Sequence, residues 1–269
     1  MKLPERIVCL TEETTETLYL LGEERRIAGI SGYTVRPPRA RREKPRVSAF
    51  SSANFERILA LRPDLVIGFS DIQADIARAL VKRGLNVLIF NQRSVAEILG
   101  MIQALGALVG AVDRAAKLVS ALEAGLQAIE AQASLLERRP RVYFEEWDEP
   151  MISGIRWVSE LVGIAGGQDI FPELSLSQDA RGRIISDASE VVRRAPDLIF
   201  GSWCGKKFRP EKLRTRPGWT EIPAVRDNQL FEIKSAEILQ PGPAALTDGV
   251  RCIHAIVRAW TDGRAAAAA

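Results

Sequence analysis

One histidine and three scattered cysteines are all the soft metal ligands that 269 residues offer. That scarcity excludes a multi-histidine metal cage, a zinc ribbon and an iron–sulfur cluster, so no resident metal is expected. Charge is scarce as a surplus too: 37 Lys and Arg against 34 Asp and Glu leave a formal net charge of +3. A nucleic-acid partner, which needs a basic stripe, is therefore not expected. No apolar run approaches the roughly 18 residues of a membrane span, so membrane insertion is not expected either. The apolar stretch at 7–10 is too short for a secretory leader. As written, the chain reads as a cytoplasmic monomer, and as periplasmic only if a native leader has been removed.

What is present is an alternation of short strand and helix signals. Strands are expected at 6–10, 26–30, 64–68 and 85–90, and helices at 14–21, 54–61 and 71–83. Thr11 is expected to cap the first helix, with Glu12 and Glu13 placed favourably against its dipole. Residues 32–46 read as a loop rich in Pro and Arg. Strands separated by ten-residue helices predict βαβ units and parallel sheets. From 95 to 138 the pattern is purely helical; Leu118, Leu122, Leu126, Ile129, Ala133 and Leu136 recur every three or four residues. A helix over 113–137 would be about 36 Å long.

The second half repeats the first. Pro63-Asp64-Leu65-Val66-Ile67-Gly68 returns as Pro196-Asp197-Leu198-Ile199-Phe200-Gly201, and the strand at 141–145 matches that at 6–10. A last strand is expected at 230–233, a last helix at 244–260, and a frayed alanine tail after Arg264. The duplication predicts an α/β protein of two lobes, each a mainly parallel sheet flanked by helices, joined by one long helix with a ligand cleft between them. The expected division is 1–93, 94–139 and 140–269.

In such lobes ligands meet the loops at the carboxyl ends of the strands. Those loops are aromatic here, carrying Tyr33, Phe50, Phe69, Trp147 and Trp203, which suits a flat or bulky apolar-faced ligand. Each of these rings could equally be a satellite core residue. Arg36, Arg39, Arg41, Arg42, Lys44 and Arg46 crowd one loop, and Lys206, Lys207, Arg209, Lys212, Arg214 and Arg216 crowd another. These rims could hold ligand carboxylates or phosphates; the balance favours solvated loops neutralised by nearby acids, with Arg36 as the exception. No nucleophile finds a base. His254 reads as structural, Cys204 as a buried inert thiol, and the acidic pairs Glu12/Glu13 and Glu145/Glu146 as helix-start carboxylates rather than a dyad. No catalytic residue is assigned, and the protein is not expected to be an enzyme.

Taken together these features resemble the substrate-binding proteins of ABC importers for cobalamin, haem and ferric siderophores, over nearly the whole chain. The likeness is nearest to the cobalamin-binding members. It rests on Gly32-Tyr33-Thr34-Val35-Arg36-Pro37-Pro38, on Phe50 before Asn54-Phe55-Glu56-Arg57-Ile58, and on Phe69 after the Pro-Asp-Leu strand. The resemblance implies a corrinoid or other tetrapyrrole-sized ligand, bound without covalent attachment and lined by Tyr33, Arg36, Phe50, Phe69, Trp147 and Trp203. It also implies an ABC permease partner docked through Glu56 and Glu190. Arg36 replaces an aromatic residue of that pattern, which favours an acidic ligand. The alternatives are a haem or siderophore carrier, and a leaderless cytoplasmic corrinoid-handling enzyme using Cys204.

Overall fold

A computed structural model describes residues 3–263; the alanine tail lies outside the described residues. The chain divides into two compact units, Met1–Gln92 with Ala96–Leu122, and Arg93–Val95 with Glu123–Ala269.

The first unit holds strands β1 (Ile7–Cys9), β2 (Ile27–Ser31), β3 (Arg46–Ser48), β4 (Leu65–Phe69) and β5 (Val87–Phe90), all parallel, in the order β3-β2-β1-β4-β5. Strand β3 begins at Arg46, the last residue of the expected Pro/Arg loop, and its three residues are too few to show a period. Helices α1 (Glu12–Leu20), α2 (Ala40–Glu43), α3 (Phe55–Ala60) and α4 (Ala74–Val81) connect them. Val8, Leu10, Val47, Ile58, Val66, Ile76 and Leu80 form an apolar core on one face of this sheet. Every strand here contributes branched or aromatic residues, as a sheet covered on both faces requires.

Helices α5 (Val95–Leu108) and α6 (Val112–Ala133) follow, and the division between the units falls inside α6. Helix α6 buries Ala115, Val119, Leu122, Leu126, Ile129 and Ala133, close to the expected stripe. Its 22 residues give about 33 Å.

The second unit contains β6 (Arg141–Asp148), β7 (Met151–Ser153), β8 (Gln168–Asp169), β9 (Leu198–Gly201) and β10 (Leu230–Glu232) in the order β10-β9-β6-β7, with β8 also beside β6. All pairings are parallel except β6–β7, a hairpin turning at residues 149–150. The hairpin went unread because β6 continues three residues past the expected end. Helix α7 (Arg156–Ile164) covers the sheet, and the expected last helix opens with a π-helical turn, Ala245–Gly249, before Val250–Thr261.

The duplicated Pro-Asp has a concrete task. Asp64 accepts from the backbone N–H of Glu5 at 2.7 Å and of Arg6 at 3.0 Å, tying the start of β4 to β1. Asp197 accepts from the Arg141 N–H at 2.8 Å, tying β9 to β6 in the same way. The charged acceptor strengthens each bond. It also fixes the register, Ile7 opposite Leu65 and Val142 opposite Leu198.

Candidate functional site

At the carboxyl ends of the first unit's strands, three aromatic loops are stitched by backbone. The Gly32 N–H donates to the Ser48 carbonyl at 2.7 Å, and the Ser48 hydroxyl reaches the Leu10 carbonyl at 3.4 Å. Gln73, fully buried just after β4, accepts from the Phe69 N–H at 3.0 Å and donates to the Phe50 carbonyl at 2.9 Å. On this framework Tyr33 is 54% exposed, Phe50 half-buried and Phe69 5% exposed. Asn54 caps α3 by accepting from the Arg57 N–H at 2.9 Å. Sequence reasoning missed Gln73: nothing in Asp71-Ile72-Gln73 marks it except a turn.

Arg36 is not a bare cation. Its Nε lies 2.8 Å from the Glu16 carboxylate, itself largely buried on α1, which weakens the inference to an acidic ligand. Arg39 likewise meets Glu24 at 3.3 Å and lies over the Tyr19 ring.

The first turn of α1 also departs from expectation. Thr11 takes the extended cap conformation, but its hydroxyl donates to Glu13 Oε1 at 2.6 Å instead of capping. Glu12 and Glu13 are both buried, and Glu13 Oε2 has no hydrogen-bond partner. Burial pushes the Glu12 carboxyl up to about 7 and the Glu13 carboxyl up to about 8, the neighbouring Glu12 adding to the latter. Desolvation outweighs the helix dipole here.

In the second unit every acid on the distal half of β6 meets a base. Glu145, fully buried, receives Arg216 bidentately at 2.5 and 3.1 Å, with Tyr143 Oη and Trp203 Nε1 each at 3.0 Å. Glu146 pairs with the buried Arg183 at 2.5 and 3.1 Å. Asp148 meets Lys206 and, at 3.1 Å, Lys212. Burial pushes the Asp148 carboxyl up, but the two ammonium groups outweigh it and hold the carboxyl below its ordinary value. Half of this unit's basic rim, Lys206, Lys212 and Arg216, is thus spent on acids of β6.

Trp203 is the most deeply buried of the expected lining residues. It is 2% exposed and packs edge-on to Phe208 at 5.1 Å, because its indole N–H is needed by Glu145. Trp147 is half-buried, with Lys206 Nζ 4.1 Å from its ring centre. Cys204 is exposed rather than buried. His254 is buried on the last helix with Nδ1 3.0 Å from the Ala165 carbonyl, a structural place.

The two glutamates at matching sequence positions differ. Glu56 is exposed in the first turn of α3 and has no ion-pair or hydrogen-bond partner among the described residues. Glu190, on the helix Ser189–Arg194, accepts from Arg194 Nε at 2.7 Å and Arg193 Nε at 2.9 Å. Among the described residues no group of three or more His, Cys, Asp and Glu could hold a metal ion, and no helix is long and apolar enough to cross a membrane.

Known proteins share this architecture. An uncharacterized ABC transporter substrate-binding lipoprotein of Bacillus subtilis is 25% identical over 93% of this chain and 78% of its own length. The vitamin B12-binding protein of Vibrio cholerae is 27% identical over 90% of this chain and 85% of its own. Staphylococcus aureus IsdE, solved with haem, superposes with a TM-score of 0.81 at 20% identity, covering 96% of this chain and 99% of that one. The family model described as periplasmic binding protein matches residues 7–237, from β1 to the helix Ser235–Ile238. With both sheets inside that match, the chain belongs to the periplasmic binding protein family, as a substrate-binding protein.

Proposed function

We propose that the protein carries a corrinoid, cobalamin-like ligand for an ABC importer. The observation that carries this reading is the aromatic edge of the first unit: Tyr33, Phe50 and Phe69 on three hydrogen-bonded loops, in a chain 27% identical to a vitamin B12-binding protein. Aromatic faces suit a large, flat, mostly uncharged ligand better than a polyanion. Arg36, held by Glu16, shares the loop of Tyr33 as a polar-edged contact, and Trp147, under Lys206, is the candidate contact of the second unit. Pairing of Arg36, Arg39, Lys206, Lys212 and Arg216 with acids lowers the positive charge open to a ferric siderophore dominated by negative charge. Glu56 and Glu190 would dock the permease, and the place of work would be outside the cytoplasmic membrane.

Haem is the second reading, favoured by one observation: Tyr33 is exposed, and a phenolate is a competent axial ligand for haem iron. The test is titration of the purified protein with cyanocobalamin, hemin and a ferric siderophore, followed by absorbance. Saturable one-to-one binding of cyanocobalamin alone supports the corrinoid reading. Hemin binding whose spectrum changes in Tyr33→Phe replaces it with the second.

A further inference from the structure

We infer that Gln73 is a positioning residue for the ligand site, setting the two phenylalanine loops at a fixed spacing. The inference rests on the reading of Phe50 and Phe69 as ligand contacts.

Phe50 and Phe69 belong to segments that no regular ladder joins. Phe69 closes β4, whereas Phe50 lies in the loop after β3, and β1 and β2 stand between those strands in the sheet. Nothing in a parallel sheet fixes the separation of two such loops once the strands have ended. The Gln73 carboxamide supplies what the ladder lacks. Its oxygen takes the Phe69 N–H at 3.0 Å, and its nitrogen gives to the Phe50 carbonyl at 2.9 Å and lies 3.5 Å from the Leu10 carbonyl. One planar group therefore spans the ends of β1, β3 and β4, using both its donor and its acceptor.

The surroundings are shaped for this group. At Gly68 any Cβ would lie 2.5 Å from Gln73 Oε1, so the side chain occupies the space a larger residue would need. Ser70 adopts φ +63° and ψ 175°, a costly conformation for a residue other than glycine, in the turn that leads into Gln73. Ser70 N–H donates to the Phe90 carbonyl at 2.8 Å and Gln73 N–H to the Ser70 carbonyl at 3.2 Å, fixing that turn. The buried amide uses both its donor and its acceptor, which makes its geometry specific, and a replacement would break its bonds to both loops.

A positioning role separates affinity from stability. Gln73→Met keeps the volume and removes both hydrogen bonds; Gln73→Asn keeps the chemistry but is one methylene too short to reach both loops. Leu80→Ala, in the same unit's core, lowers the melting temperature without touching the loops. With cyanocobalamin as probe, or hemin if that is the ligand the titration selects, both Gln73 variants are expected to raise Kd about tenfold, the equivalent of one lost buried hydrogen bond. Hydrogen exchange should quicken at Phe69 and at residues 49–54 in these variants. Leu80→Ala should leave Kd unchanged at equal or greater loss of melting temperature. The inference is overturned if the Gln73 variants bind like the wild type while Phe50→Ala with Phe69→Ala loses binding. It falls as well, together with the site reading, if that double variant binds normally.

Discussion

The same repeat ends differently in the two units. In the first, the space beside Gly68 admits Gln73, a polar side chain that links backbone loops and leaves Tyr33 exposed. In the second, a Cβ at Gly201 would lie 2.0 Å from the Phe208 ring, and Phe208 packs on Trp203. The acids at the strand ends divide in the same way. Glu12 and Glu13 are buried without a countercharge of their own, whereas Glu145, Glu146 and Asp148 each hold a base. One repeat thus closes its strand ends with rings and ion pairs, and the other keeps rings available and carboxyls near neutrality. Duplication preserved the register device, Asp64 and Asp197, and let the strand ends diverge.

The largest expected effect breaks the second unit's side of this contrast. Glu145→Gln leaves Arg216 buried against an uncharged partner and should cost about 3 kcal/mol of unfolding free energy, measured by denaturant unfolding. Glu145→Gln with Arg216→Met should cost less than the sum of the single changes, because the orphaned charge is gone.

The first unit responds to pH in the opposite sense. Its two carboxyls have folded values near 7 and 8, above the ordinary value of 4.5. The folded state binds more protons, so the stability they contribute is full below about pH 4.5 and is lost as pH rises through about 7 to 8. Asp148 is held low, so its contribution is present at neutral pH and is lost as pH falls below the ordinary value of 3.8. Unit-resolved hydrogen exchange should show the first unit loosening toward pH 8 and the second toward acid. Glu13→Gln should flatten the first profile and stabilise that unit by on the order of 1–2 kcal/mol at pH 8.

The smallest effect concerns docking. Glu56 presents a bare carboxylate, while Glu190 must first release Arg193 and Arg194. In reconstituted uptake with a cognate permease, Glu56→Ala should therefore lower transport several-fold more than Glu190→Ala. Equal losses would show that the arginine pairing is exchanged freely on docking.

Much of the fold was legible because its signals are local. The Pro-Asp-Leu repeat and the apolar stripe of α6 each recur over a few residues. The pairings of the second unit were not, because Glu146 finds Arg183 across 37 residues and Glu145 finds Arg216 across 71. Neutralisation by nearby acids was the favoured expectation, but the particular acids that hold Lys206, Lys212 and Arg216, three of the second rim's six bases, were not readable from the sequence. The burial of Trp203 was hidden for the same reason: its hydrogen-bond partner lies 58 residues away. Gln73 carries no sequence signal, since its role depends on carbonyls brought together only by the sheet.

The central claim is that the aromatic loops of the first unit hold the ligand, and the double variant Phe50→Ala with Phe69→Ala tests it most directly. Titrated with cyanocobalamin by absorbance, at a temperature where circular dichroism shows it folded, it should bind at least about 100-fold more weakly than the wild type, two buried aromatic contacts being lost. Wild-type affinity in that variant would contradict the account.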